Sequence, residues 1–265
     1  MELQDQRVLV TGATAGIGRE AAKLFARRGA SVVITGRDTE RGAQTVAAIE
    51  AEGGRAEFIA ADLNEIKSVR RLAEQAGDVD VLVNNAASLT AAPTLEQDVE
   101  SFEIMFDVNV RGTFVCSQAC LPLLQRSAAE GRGPHILNLS PPMSLRPRWF
   151  APHVAYTMAK YGMSMCVLGM SDELRPFGIG VNALWPRTLI ATAALQVVSF
   201  ADIRRARTPD IVADAAHAIL VRDPRTCTGN FYLDEDVLRE KGVEDFSRYA
   251  VTPANQELLP DLFVD

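Results

Sequence analysis

The sequence predicts an α/β fold: a doubly wound parallel sheet of about seven strands with helices on both faces. Three observations lead there. Short β-branched runs alternate with longer helical patterns, the runs VLV, VVIT and DVLV lack apolar/polar alternation, and a glycine-rich turn joins the first run to the first helix. A strand covered on both faces has no wet side for polar residues, so uniformly apolar runs imply helices above and below the sheet.

The elements follow in order. Val8 to Thr11 reads as a strand, Ile17 to Arg28 as a helix, Ser31 to Thr35 as a strand and Glu40 to Glu52 as a helix. Ala56 to Ala60, a helix near Glu65 to Gln75, and Val79 to Val83 continue the rhythm. The pattern predicts one long helix from Val99 to Gln125, then strands at Ile136 to Leu139 and Ile179 to Leu184, with a helix at Ala155 to Leu174 between them. Ile211 to Leu220 reads as a helix and Asn230 to Leu233 as the last strand, introduced by Thr228-Gly229. A chain of 265 residues at 48% hydrophobic content is expected to form one domain over 1–265. Residues 234–265, acidic and carrying Pro253 and Pro260, read as a C-terminal extension that wraps the surface without catalytic function.

Charge narrows the partners. Lys plus Arg is 27 and Asp plus Glu is 34, a net charge of −7. That sign opposes the basic footprint of nucleic-acid or anionic-membrane binding, which leaves a small-molecule substrate. The four cysteines form no CxxC pair and no His or Cys cluster joins them, so no metal site is expected. No apolar run reaches eighteen residues and the start, MELQDQ, is polar, so the expectation is a soluble, cytoplasmic chain.

Gly12, Gly16 and Gly18 stand in a GxxxGxG pattern between a strand and a helix. Missing side chains let the backbone amides of the turn, including Thr14 and Ile17, and the positive helix end approach a pyrophosphate. This is the signature of a Rossmann-type dinucleotide site. An NAD site places an acid at the end of the second strand, but here that end reads Thr35-Gly36-Arg37. Arg37 offers a planar donor fork to a 2′-phosphate, so NADP(H) is the expected cofactor; the competing reading is a surface arginine paired with Asp38 or Glu40. Asp62, with Leu63 beside it, follows the third strand where a carboxylate accepts from an adenine amino group. In Asn84-Asn85-Ala86-Ala87, Asn84 and Ala86 are candidates for contact with the riboses. Each of these alone is ambiguous, because an Asn pair at a strand end is equally turn chemistry.

Tyr156 and Lys160 are four apart and share one face of a helix. An ammonium near a phenol favours the phenolate, and the cation of an oxidised nicotinamide adds to the effect, so Tyr156 is expected to titrate towards neutrality.

With TGxxxGIG, NNA and Asp107-Val108-Asn109-Val110, the YxxxK pair resembles the short-chain dehydrogenase/reductase family over nearly the whole chain. The resemblance implies that Tyr156 exchanges a proton with a carbonyl or alcohol oxygen while hydride moves to or from the nicotinamide. Lys160 would hold the ribose hydroxyls, and Asn109 would kink its helix and hold a water of a proton relay. Pro186, Thr188 and Leu189, with Thr192, would meet the nicotinamide, although Arg187 replaces the family's glycine after Pro186. A homodimer or homotetramer is also implied.

One position departs from the family. The serine that holds the substrate oxygen falls on Pro141, which has neither hydroxyl nor N–H. Ser140 one residue earlier, Ser144, or no serine takes its place. Pro141, Pro142, Met143, Trp149 and Phe150 imply an apolar substrate wall and a lipophilic carbonyl or alcohol. The alternative is an NADP(H)-binding regulatory protein with little turnover.

Overall fold

β1 (Arg7–Thr11) pairs in parallel with β2 (Ser31–Gly36) on one side and β4 (Val81–Asn84) on the other, and the sheet grows outward from this centre. The computed structural model describes residues 3–197, 201–252 and 257–264. β3 (Arg55–Ala60) flanks β2, while β5 (His135–Asn138), β6 (Gly180–Trp185) and β7 (Phe231–Leu233) follow β4. The order β3-β2-β1-β4-β5-β6-β7 is parallel throughout. It reverses between β1 and β4, which opens a crevice at their C-terminal ends.

Alternate residues of each strand feed two separate cores. Val8, Val10, Val32, Ile34 and Leu137 pack under α1 (Gly16–Arg27), α2 (Thr39–Ala51) and α7 (Asp210–Leu220). Leu9, Val33, Leu82, Ile136 and Val181 pack under α3 (Ile66–Ala76), α5 (Gly112–Ala129) and α6 (Val154–Glu173). Both faces of the central strands are dry, which is why their sequences show no polar alternation.

The expected helix from Val99 to Gln125 is not continuous. α4 (Val99–Met105), capped by Asp98 accepting from Ser101 N at 2.7 Å, runs into a π-helical turn at Phe106–Arg111 before α5 begins. Wide turns of this kind mark functional positions in helices, and Asn109 lies inside this one.

The C-terminal segment also departs from expectation. After α8 (Asp234–Glu240) the chain returns, and Leu259 to Asp261 pair with Arg187 to Leu189 through Leu189 N to Leu259 O and Asp261 N to Arg187 O, each 3.0 Å. Trp185 Nε1 then donates to Leu262 O at 2.8 Å, and Phe263 is buried. Instead of wrapping the surface, this segment is wedged against the site.

Candidate active site

The crevice between β1 and β4 widens into a cleft of about 500 Å³ that runs from Arg37 and Asp62 at one end to Tyr156, Lys160 and Asp261 at the other. Its floor is the glycine turn. Gly12 (φ +65°) and Gly16 (φ +57°) hold left-handed conformations, and a Cβ at Gly12 would lie 2.8 Å from Ala86 Cα. Glycine is required by both conformation and space. Gly18 does not line the cleft. It packs beneath, where a Cβ would sit 2.4 Å from Asn85 Nδ2.

Asn85 is the clamp that sequence reasoning missed. Its Nδ2 donates to Thr11 O (2.8 Å) and Gly12 O (3.1 Å), while Thr11 Oγ1 accepts from Asn85 N and Ala86 N, both at 3.1 Å. The end of β4 thereby fixes the turn after β1. α1 has no side-chain cap at Ala15 and no acid in its first turn, so its leading N–H groups are left for an anion. Thr14, Gly16 and Ile17 line the cleft beside them.

Arg37 is exposed on the cleft wall and has no side-chain partner among the described residues. Asp38 is engaged by Arg41 instead, accepting from its backbone N at 3.0 Å and from its guanidinium at 3.2 Å. A Cβ at Gly36 would meet Thr14 Cγ2 at 2.8 Å, so nothing larger fits in front of Arg37. Asp62 and Leu63 line the same end, with Asp62 Oδ1 accepting from Asn64 N at 3.0 Å. An open helix N-terminus, a glycine-rich turn and an uncommitted guanidinium fit the phosphates of a nicotinamide dinucleotide.

At the other end Tyr156 is almost fully buried, yet its hydroxyl has no hydrogen-bond partner among the described residues. Lys160 Nζ donates to Leu139 O at 2.9 Å and lies 5.1 Å from the Trp185 ring centroid. Burial pushes the Tyr156 phenol well above its ordinary range and the Asp261 carboxylate pushes the same way. Burial brings Lys160 down to about 8, against the pull of Asp261. The expected drop in the Tyr156 pKa is therefore not a property of the protein alone, because desolvation of the buried phenolate dominates.

Four other predicted residues, Asn84, Thr188, Ser140 and Asn109, sit outside the cleft. Asn84 is buried with Nδ2 donating to Ser117 Oγ (3.1 Å) and Asn138 Oδ1 (2.9 Å), so it joins β4 to β5 and α5 and does not reach a ribose. Thr188 is buried in the bridge to Pro260, whereas Pro186, Leu189 and Thr192 line the cleft. Ser140 is fully enclosed, its Oγ without a partner, and does not face the cleft; this corrects its candidacy as the substrate clamp.

Asn109 is also fully buried, and its amide is bonded to the backbone of Ser88. Ser144 exchanges backbone hydrogen bonds with the Tyr161 hydroxyl at 3.1 and 2.9 Å. Met143, Trp149 and Phe150 pack on a cluster built around Tyr156, Trp185 and Phe263 and do not form the cleft wall. The Phe263 ring centroid lies 6.2 Å from that of Tyr156. The apolar run Leu262-Phe263-Val264 after an acidic stretch is the signal in the sequence for this contact.

A parallel sheet with this strand order, a glycine turn at its switch point and a Tyr/Lys pair on the helix between β5 and β6 define a short-chain dehydrogenase/reductase. The family model described as short chain dehydrogenase matches residues 6–199, and the chain belongs to this oxidoreductase family. It is similar to hydroxysteroid dehydrogenase-like protein 2 of Rattus norvegicus, 45% identical over 97% of this chain and 50% of that protein. The Homo sapiens protein of the same name is 41% identical over 97% of this chain and 63% of its own length. The chain thus spans about half to under two thirds of these curated relatives. Among solved structures, a dehydrogenase from Xanthomonas campestris superposes with a TM-score of 0.92 at 40% identity, covering 100% of both chains. A metagenomic short-chain oxidoreductase in complex with NADP superposes at 0.72 with 26% identity, over 87% of this chain and 97% of that one. Among the described residues, no helix is long and apolar enough to cross a membrane and no group of His, Cys, Asp and Glu is placed to hold a metal.

Proposed function

We propose that this chain is an NADP(H)-dependent oxidoreductase that transfers a hydride between the nicotinamide and the carbonyl or secondary alcohol carbon of a lipophilic substrate. The observation that carries it is the Tyr156 hydroxyl, unpartnered and turned to a cleft whose opposite end presents an uncommitted Arg37. When bound, the nicotinamide supplies or accepts the hydride.

The chain's own groups do the rest. Amides around Gly12, Thr14, Gly16 and Ile17, seated on Gly18, hold the pyrophosphate; Arg37 holds the 2′-phosphate; Asp62 and Leu63 frame the adenine. Ala86 leaves space for a ribose, Pro186 and Leu189 shape the nicotinamide end, and Thr188 holds their strand to Pro260 from behind. Tyr156 gives its proton to the carbonyl oxygen in reduction and takes it back in oxidation. Lys160 leaves Leu139 O to hold the ribose hydroxyls, and its ammonium lowers the cost of the phenolate. Asn109 serves the proton path by keeping its turn open. Aromatic packing by Trp185 and Phe263 around Tyr156 excludes water and favours an apolar substrate.

Exposed Phe114, Met165 and Leu168 on α5 and α6 support pairing with a second copy, as a homodimer or homotetramer. Residues 1–265 then act as one cytoplasmic catalytic domain on a small molecule, without nucleic acid or membrane. The enclosure of Ser140 favours a second reading, a cofactor-binding regulatory protein with little turnover. Following NADPH and NADH oxidation over aldehydes, ketones and 3-ketoacyl esters separates the two. The enzyme reading expects turnover with a preference for NADPH, and binding with no turnover would reverse the order.

A further inference from the structure

We propose that Asp261 is the second hydrogen-bond donor to the substrate oxygen, filling the role that Pro141 cannot and that enclosed Ser140 does not. The proposal rests on the reductase reading and completes the same site. Asp261 lines the cleft together with Tyr156, Lys160 and Trp185. Its backbone is fixed by Asp261 N donating to Arg187 O at 3.0 Å, and its carboxyl by Leu262 N donating to Oδ1 at 2.7 Å. Leu262 O is held by Trp185 Nε1, so that indole is spent, and Phe263 locks the segment against Tyr156. Oδ2 takes no hydrogen bond from the described residues and is not sealed from the cleft. Among the described residues that α6 and the C-terminal segment bring to this end of the cleft, Tyr156 and Asp261 each present a polar oxygen left without a partner.

To donate, the carboxyl must keep its proton. Burial raises Asp261 to about 8 and the Asp234 carboxylate adds to the rise, while the Leu262 amide and Lys160 oppose it. The groups that face it are Tyr156 and Lys160 from α6 and Asp234 from the start of α8. The Arg187 guanidinium is turned away to Asp236 and Glu235, and His153 lies behind the Phe263 ring. At neutral pH Asp261 is therefore an acid held in an apolar site, the state in which a carboxyl stabilises a developing oxyanion. Tyr156 transfers the proton, and the Asp261 hydrogen bond lowers the charge cost at the oxygen.

The test compares wild type, Asp261→Asn and Asp261→Ala with NADPH and the best carbonyl of the panel from about pH 6 to about pH 10, with a ¹³C carboxyl titration of the cofactor-free protein. Asp261→Ala is expected to lose about 100-fold in kcat with KM little changed, the scale of one lost oxyanion donor. Asp261→Asn keeps a donor that does not titrate, so it should retain most of kcat at neutral pH. The Asp261 carboxyl signal should titrate well above the ordinary carboxylate range. Turnover in Asp261→Ala within about twofold of wild type, a loss in Asp261→Asn as deep as in Asp261→Ala, or an ordinary carboxylate midpoint for Asp261 would each overturn the proposal. Absence of turnover in wild type would instead remove the reductase reading beneath it.

Discussion

Asn109 and Ser88 exchange two hydrogen bonds, with Ser88 N donating to Asn109 Oδ1 at 2.7 Å and Asn109 Nδ2 donating to Ser88 O at 2.9 Å. The π-helical turn that carries Asn109 is thereby tied to the loop after β4, which borders the cleft. Asn109→Ala leaves both Ser88 groups without these partners. The expected cost is about 1–3 kcal/mol of stability with weaker cofactor binding, read by urea unfolding and by NADPH titration.

Arg37 makes the cofactor choice testable. Arg37→Ala removes a charge-assisted contact to the 2′-phosphate, for which the scale is about 1.5–3 kcal/mol. NADPH affinity should fall by roughly 10- to 100-fold while NADH affinity holds, as read by calorimetric titration. An equal loss for both cofactors would assign Arg37 a structural role.

His135 sets an acid limit on stability. It is buried in β5 with Nε2 on Arg222 O at 3.0 Å, and Nδ1 has no partner among the described residues. Burial lowers its pKa from 6.5 to about 4. The unfolded chain therefore binds the proton first, so the stabilisation is complete above about 6.5 and is lost as pH falls towards 4. Between pH 7.5 and 5 wild type should lose about 2 kcal/mol more than His135→Gln, which keeps a donor for Arg222 O. Urea unfolding at the two pH values checks this.

The sheet was legible because two-sided burial writes itself directly into sequence. Val8, Leu9 and Val10 face alternate cores that are equally dry, and the run is apolar throughout. The glycine turn and the Tyr156/Lys160 spacing were legible because each is set by local geometry. What depends on register was not. Asn84 and Asn85 are neighbours that point opposite ways from β4, and only the sheet decides that Asn85 meets the glycine turn while Asn84 turns inward. Ser140 was lost to the cleft for the same reason. Asp261 lies 101 positions from Lys160 in sequence, and its place beside the Tyr/Lys pair follows from pairing with Arg187 to Leu189, which no local pattern encodes.

Tyr156→Phe tests the central claim most directly. The substitution removes one oxygen from a packed aromatic cluster and leaves the cleft walls in place. With an active carbonyl substrate, NADPH oxidation should fall by at least about 100-fold while NADPH binds the variant as it binds wild type. Turnover that survives in Tyr156→Phe would contradict the assignment of Tyr156 as the proton donor.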